Sequence, residues 1–206
     1  MRCMQFAAAF VLAASGVSAQ GTQVSRLSTV LDPVTRKAVL AIVDSARVAK
    51  LPADVLVNKA LEGAGKHADG PRIVAAVRAL AGELRESRAA LGRGSHSEEI
   101  TAGAHALHVG LTPADLSNLR QAAVGRPLAT PLMVVTDLVS RGVPPKTASA
   151  AVVSLARAGV LDAGYTAYQR SVRSDIDHGA DPAAAAVTRA RGATLRSGGA
   201  PPRSGG

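Results

Sequence analysis

Tryptophan is absent from the 206 residues, cysteine occurs once and aromatic residues make up only 2%. The single cysteine, Cys3, and both phenylalanines, Phe6 and Phe10, fall within the first ten positions, so the rest of the chain has only Tyr165 and Tyr168. One cysteine excludes a disulfide scaffold, and one so near the start leaves no cysteine-ligated metal site in the body of the chain. Poverty in aromatics disfavours a β-sandwich or barrel, whose strands draw on aromatic and β-branched residues. It also removes the stacking platform that single-stranded nucleic acid needs. There is no G-x-S-x-G elbow, no Walker loop and no G-x-G-x-x-G after a strand, so the common nucleophile and phosphate sites are missing.

What is abundant is alanine, with 42 residues of the 47% hydrophobic content, and positive charge. The 24 Lys+Arg outnumber 15 Asp+Glu for a formal charge of +9, and 19 of the basic residues are arginine. Arginine suits bidentate contacts with phosphate or carboxylate, although Ala, Arg and Gly enrichment also follows from GC-rich codons.

The first residues, MRCMQFAAAFVLAASGVSAQG, have three parts. Arg2 gives a short basic start, Met4 to Ala14 an apolar run, and Val17-Ser18-Ala19 a small-residue cleavage site. The run falls short of the ~20 residues that span a bilayer, and the pattern is that of a secretory signal peptide over 1–19. Cleavage is expected between Ala19 and Gln20, giving a periplasmic or secreted chain with no transmembrane anchor. The charge then drops from +9 to +8.

Punctuation gives the fold. Asp32-Pro33, Thr112-Pro113, Thr130-Pro131 and Asp181-Pro182 each pair a capping side chain with a proline, whose missing N–H would have been unpaired anyway. Leu51-Pro52, Gly70-Pro71 and Pro144-Pro145 are weaker starts, and Ser95-His96-Ser97-Glu98 has the capping-box form. Glycines at 92, 110, 125, 142, 159, 179 and 192 supply the stops. Helices are expected at 33–49, 53–65, 71–91, 96–109, 113–124, 131–141, 145–158, 162–178 and 182–191. Apolar residues at Ile73, Val77, Leu80 and Leu84, and at Tyr165, Tyr168, Val172 and Ile176, follow the helical period. The expected fold is therefore all-α: about nine short helices in α-hairpins, as a bundle or a short solenoid-type stack.

Residues 20–31 read as a flexible lead-in, 32–191 as the helical domain with a subdivision near 92–95, and 192–206 as a disordered tail. Pro113, Pro145 and Pro182 are 32 and 37 residues apart, one helix pair each. The spacing resembles that of α-hairpin repeats such as tetratricopeptide units, whose period is ~34. The resemblance covers about residues 109–191 and is architectural only, because that family's tryptophan and aromatic positions are missing. Two readings stay open, a degenerate repeat and coincidence among common helix signals.

Candidate chemistry is sparse. His96, His105 and His108 lie close in sequence beside Glu98 and Glu99, and His105 and His108 at a spacing of three could face one metal ion. His96 is more than three turns from His108, so no metal site is assigned. Glu98 and Glu99 suit a first helical turn without catalysis. Asp175 and Asp177 point about 160° apart around a helix, which favours a solvated face beside Arg173. Glu86-Ser87 has the form of the Glu-Ser pair of enzymes that cleave peptidoglycan glycan strands, without the rest of that family's features. No catalytic residue and no cofactor is assigned. Arg36-Lys37, Arg85/Arg88/Arg93, Arg170/Arg173 and Arg189/Arg191/Arg196/Arg203 are the densest basic groups, and the last, Arg189, Arg191, Arg196 and Arg203, are candidates for anion binding.

The expected role is a non-enzymatic interaction or scaffold module of the cell envelope whose partner is another envelope protein. Two alternatives are electrostatic binding to anionic lipid headgroups, lipopolysaccharide or acidic proteins, and a metal-dependent enzyme using the His96/His105/His108 region. Sequence-specific nucleic-acid binding is not expected.

Overall fold

The structure, a computed structural model, describes residues 25–198. After a helical segment at 25–30 come nine helices: α1 (Pro33–Val48), α2 (Ala53–Gly65), α3 (Gly70–Leu91), α4 (Ser97–His108), α5 (Pro113–Ala123), α6 (Ala129–Ser140), α7 (Pro145–Arg157), α8 (Asp162–Asp177) and α9 (Pro182–Gly198). The all-α expectation holds, and no strand occurs among the described residues. The segment 131–141, whose valines could have suited a strand, is helical as expected.

The starts follow from local chemistry. Asp32 accepts from the amides of Val34 and Thr35 at 2.9 and 3.0 Å. Asp69 caps α3 through Arg72 N at 2.9 Å, and Asp181 caps α9 through Ala184 N at 2.8 Å. Thr112 and Asp115 form a reciprocal box: Asp115 N donates to Thr112 Oγ1 at 3.2 Å, and Thr112 N to Asp115 Oδ2 at 2.9 Å. Each bond satisfies an amide that the first turn leaves unpaired.

The stops are a single device used six times. The residues at 50, 67, 110, 142, 159 and 179 all have positive φ. After each, the next amide reaches back five residues: Leu51 to Ala46, Ala68 to Gly63, Leu111 to Ala106, Val143 to Leu138, Val160 to Leu155 and Ala180 to Asp175, all at 3.0 to 3.1 Å save the first at 2.9 Å. These are Schellman motifs. Leu51, Leu111, Val143 and Val160 drop into the core from them, and at Leu111 and Val143 a glycine precedes the buried residue and a proline follows it.

Packing is short-range along the chain. The substantial helix contacts join neighbours one or two apart. The odd helices α1, α3, α5, α7 and α9 form one continuous layer, and α4, α6 and α8 form a second. This is the geometry of an α-hairpin stack, in which each unit touches only its neighbours. The turn after α4 lies beside the start of α7, since a β-carbon on Gly110 would stand 3.4 Å from Pro145 Cγ. The turn after α6 stands in the same relation to the start of α9, at 3.7 Å between Gly142 and Pro182. That recurrence gives the sequence spacing a structural counterpart.

Two apolar cores lie along the stack and meet in α3 and α4. Leu84, Ile100 and Ala104 belong to the first, and Leu91, Ala102 and Ala106 to the second. The helices α3 and α4 approach closely where Ser87 Oγ donates to Ile100 O at 2.8 Å, against Gly103. Residues 92–95 therefore join two tightly packed helices, and the cores are shared across the turn rather than separated by it. Arginines tie helix ends together: Arg88 donates to the carbonyls of Ala49 and Lys50 at the end of α1, and Arg126 to those of Ala123, Val160 and Ala156.

Four sequence boundaries need correction. Part of the expected lead-in is packed: Leu27 and Leu31, four apart, bury their side chains in the first core. Gly192 does not stop α9, which runs to Gly198, because Ala190 and Ala193 are buried on either side and one interior glycine costs only about 1 kcal/mol. Thr130 does not cap α6, which begins at Ala129 after Leu128. The α4 cap falls on His96 and Glu99 rather than Ser95 and Glu98, with Glu99 Oε2 accepting from His96 N at 3.2 Å. Residues 1–19, read above as a signal peptide, and residues 199–206 of the expected tail lie outside the described residues. No described helix is long and apolar enough to cross a membrane.

Candidate functional site

A trough of about 650 Å³ lies between α2, α3 and α4. It sits where the second layer is interrupted: α4 packs on α6 and α6 on α8, while α2 and α4 make no comparable contact. The face of α3 is thereby left open as a floor. Val55, Ala76, Ala79 and Leu80 make the lining largely apolar, and Asn58, Lys59, Glu62, Glu83, His105 and His108 form its polar part.

The charges along this trough are partly compensated. Glu62 binds Lys59 at 3.0 Å and Lys66 at 2.5 Å. Hydrogen bonds from Lys66 and then Lys59 hold its carboxyl down at about 2. Glu83 has a different partner, His108, whose Nδ1 lies 2.9 Å from Glu83 Oε1.

The histidines divide between the two ends of α4. His105 and His108 reach the trough, whereas His96 caps the opposite end, about 18 Å away along the axis. Glu98 is exposed and Glu99 is engaged in the interior. The region proposed for a metal-dependent enzyme thus does not converge. No group of three His, Cys, Asp or Glu side chains among the described residues is arranged to hold a metal ion.

Glu99 is the residue that sequence reading undervalued. Buried at 4% exposure, it accepts from Leu128 N at 2.7 Å, from Arg120 at 2.8 Å and from His96 N. One carboxylate therefore closes the start of α4, caps α6 and pairs with α5. This explains why α6 begins without Thr130 as its cap. The only signal in the sequence was the capping-box spacing from His96, because Arg120 and Leu128 are 21 and 29 residues away.

The other candidates take structural places. Glu86 is exposed while Ser87 is fully buried and bonded to Ile100, so the pair shares no site. Asp175 binds Arg189 across to α9 at 2.5 and 2.6 Å, and Asp177 lies 3.7 Å from Arg173. Arg189 is thus occupied by a carboxylate, Arg191 and Arg196 are exposed on α9, and Arg203 lies outside the described residues. Both tyrosines are core: Tyr165 and Tyr168 are 3% and 2% exposed, and Tyr168 Oη donates to Ala186 O at 3.1 Å. Burial pushes the Tyr165 hydroxyl up to about 12 and moves that of Tyr168 in the same direction.

A two-layer α-hairpin stack with an open trough between α2 and α4 is the class that this geometry defines. No family model matches the chain, and neither curated proteins nor solved structures give a significant match.

Proposed function

We propose that the chain is an exported, non-enzymatic helical module of the cell envelope that binds another envelope protein. The observation that carries the reading is the interrupted layer. A stack of helix pairs makes extended surfaces, and this one leaves an apolar-floored trough open between α2 and α4. Three polar side chains buried elsewhere are used internally: Glu99 caps helices, Ser87 joins α3 to α4, and Ser149 donates to Asp115 Oδ1 at 3.1 Å. Export rests on the signal pattern of residues 1–19.

The test is a pull-down from envelope extract of the producing organism, with the full chain and the form starting at Gln20, washed at low and at high salt. A discrete protein retained at high salt is expected. Loss of every retained protein at both salts overturns the reading.

A second reading is favoured by the net positive charge and by the exposed Arg191 and Arg196. In it the protein attaches electrostatically to anionic envelope components, and all binding collapses in moderate salt because exposed charges are screened.

A further inference from the structure

We infer that the trough between α2 and α4 binds an amphipathic helix of the partner, with apolar side chains over Ala76, Ala79 and Leu80 and a basic side chain at Glu83. The inference deepens the interaction-module reading and rests on it.

Length is the first argument. The residues that α2 contributes are Val55, Asn58, Lys59 and Glu62, and those of α3 are Ala76, Ala79, Leu80 and Glu83. Both sets are spaced i, i+3, i+4, i+7, two helical turns or about 10.5 Å. A helix docking through anchors at the same spacing covers the same length. The last turn of α4, carrying His105 and His108, walls one side.

Shape is the second. In the rest of this layer each helix packs on the next but one, as α4 does on α6 and α6 on α8. Between α2 and α4 that packing is missing, and what is exposed there is the side of α3, itself a 22-residue helix. The alanines at 76 and 79 keep the floor low, so a helix can approach closely.

Charge is the third, and it selects the partner. The protein as a whole is strongly basic, at +9, yet among the described residues Lys59 is the only lysine or arginine lining the trough against Glu62 and Glu83. Lys59 and Lys66 both serve Glu62, which leaves Glu83 with a histidine. An apolar helix with a lysine or arginine at the Glu83 end satisfies floor and rim together. An acidic helix meets the general charge of the protein but opposes this site.

The experiment uses two synthetic amphipathic helices of about 14 residues, a length at which helices become viable in water. One is built of Leu and Lys, the other of Leu and Glu. Binding to the protein is followed by fluorescence anisotropy in physiological salt and mapped by amide NMR shifts. The Leu/Lys helix is expected to bind more tightly in spite of the net charge, with shifts centred on 76–83 and 105–108. Ala79→Arg, at an exposed floor position, is expected to weaken it at least about tenfold, as loss of a central anchor does. The isosteric Glu83→Gln is expected to weaken it about threefold, the scale of a partly exposed ion pair.

Tighter binding of the Leu/Glu helix, shifts centred elsewhere, or Ala79→Arg binding like the parent overturns the inference. The same variants separate it from the broader reading. An envelope protein still retained by Ala79→Arg keeps the interaction module but places its interface elsewhere. Binding of the Leu/Lys helix at the trough, with no envelope protein retained, keeps the trough and removes the module.

Discussion

Replacing Glu99 by alanine is expected to damage three helices at once. The carboxylate is almost fully buried and receives Leu128 N, Arg120 and His96 N. Removing one member of a buried ion pair typically costs about 3–5 kcal/mol, because the other charge is left without compensation. Arg120 retains 26% side-chain exposure, so water recovers part of its charge and the lower figure, about 3 kcal/mol, applies. Arg120 Nε has no hydrogen-bond partner among the described residues, and the other contacts of the guanidinium, Arg126 O at 3.3 Å and Ser95 Oγ at 3.4 Å, are long and to uncharged groups. For a chain of this size about 3 kcal/mol corresponds to a fall in Tm of roughly 6–12 °C. Thermal and urea melts by circular dichroism measure it, with an unchanged m-value showing that stability rather than compactness has moved. The double variant Glu99→Leu with Arg120→Met should lose less than the sum of the single losses, by about 1–2 kcal/mol. A loss below about 1 kcal/mol for Glu99→Ala, or strict additivity, would refute the idea that one carboxylate holds the three helix ends.

Three further outcomes follow from the interior. Gly103→Ala places a β-carbon against Ser87 Oγ, which is bonded to Ile100 O; a loss of about 1–3 kcal/mol is expected from overpacking, and denaturant melts showing none would mean that α3 and α4 separate freely. Tyr168→Phe should cost about 1 kcal/mol for the lost bond to Ala186 O, and Tyr168→Ala about 3–5 kcal/mol for the cavity; near-zero loss from the alanine would show an exposed tyrosine. In acid, Asp32, Asp175 and Glu62 have carboxyls held low by hydrogen bonds, and in Asp115 and Asp137 burial opposes the same effect without overcoming it. Groups lowered on folding stabilise above their unfolded values, so for Glu62 stability should fall between pH 4.5 and about 2. Tyr165 is raised, so the unfolded chain ionises first and stability should fall between pH 10 and about 12. Melts that are flat across both windows would contradict these assignments.

Most of the fold was legible because its starts and stops are encoded within a few residues. Asp32, Thr112 and Asp181 bond to amides two or three positions ahead, and each Schellman turn closes over five. Such signals survive in a sequence read without any partner. The errors fell where the determinant is distant. Leu128 stands as the cap residue before α6 because Glu99 reaches its amide from α4, and Thr130-Pro131 carried the stronger local signal. Likewise α9 continues through Gly192 because Ala193 packs on the second core, a tertiary gain that outweighs the local preference of glycine to end a helix.

The trough was less legible for the same reason, and its position can be traced to the chain. Any pair of adjacent helices reads alike in sequence, and whether alternate helices then touch depends on crossing geometry that no local pattern records. In α3 the apolar period that was read as one core-facing stripe, Ile73, Val77, Leu80 and Leu84, does face the first core. Ala76, Ala79 and Glu83 lie between its members and line the trough instead. Alanine there fits either a helix surface in water or a floor beneath another helix. In a chain with 42 alanines that ambiguity is widespread, so the sites of a stack of this kind are found by asking which alternate helices fail to meet.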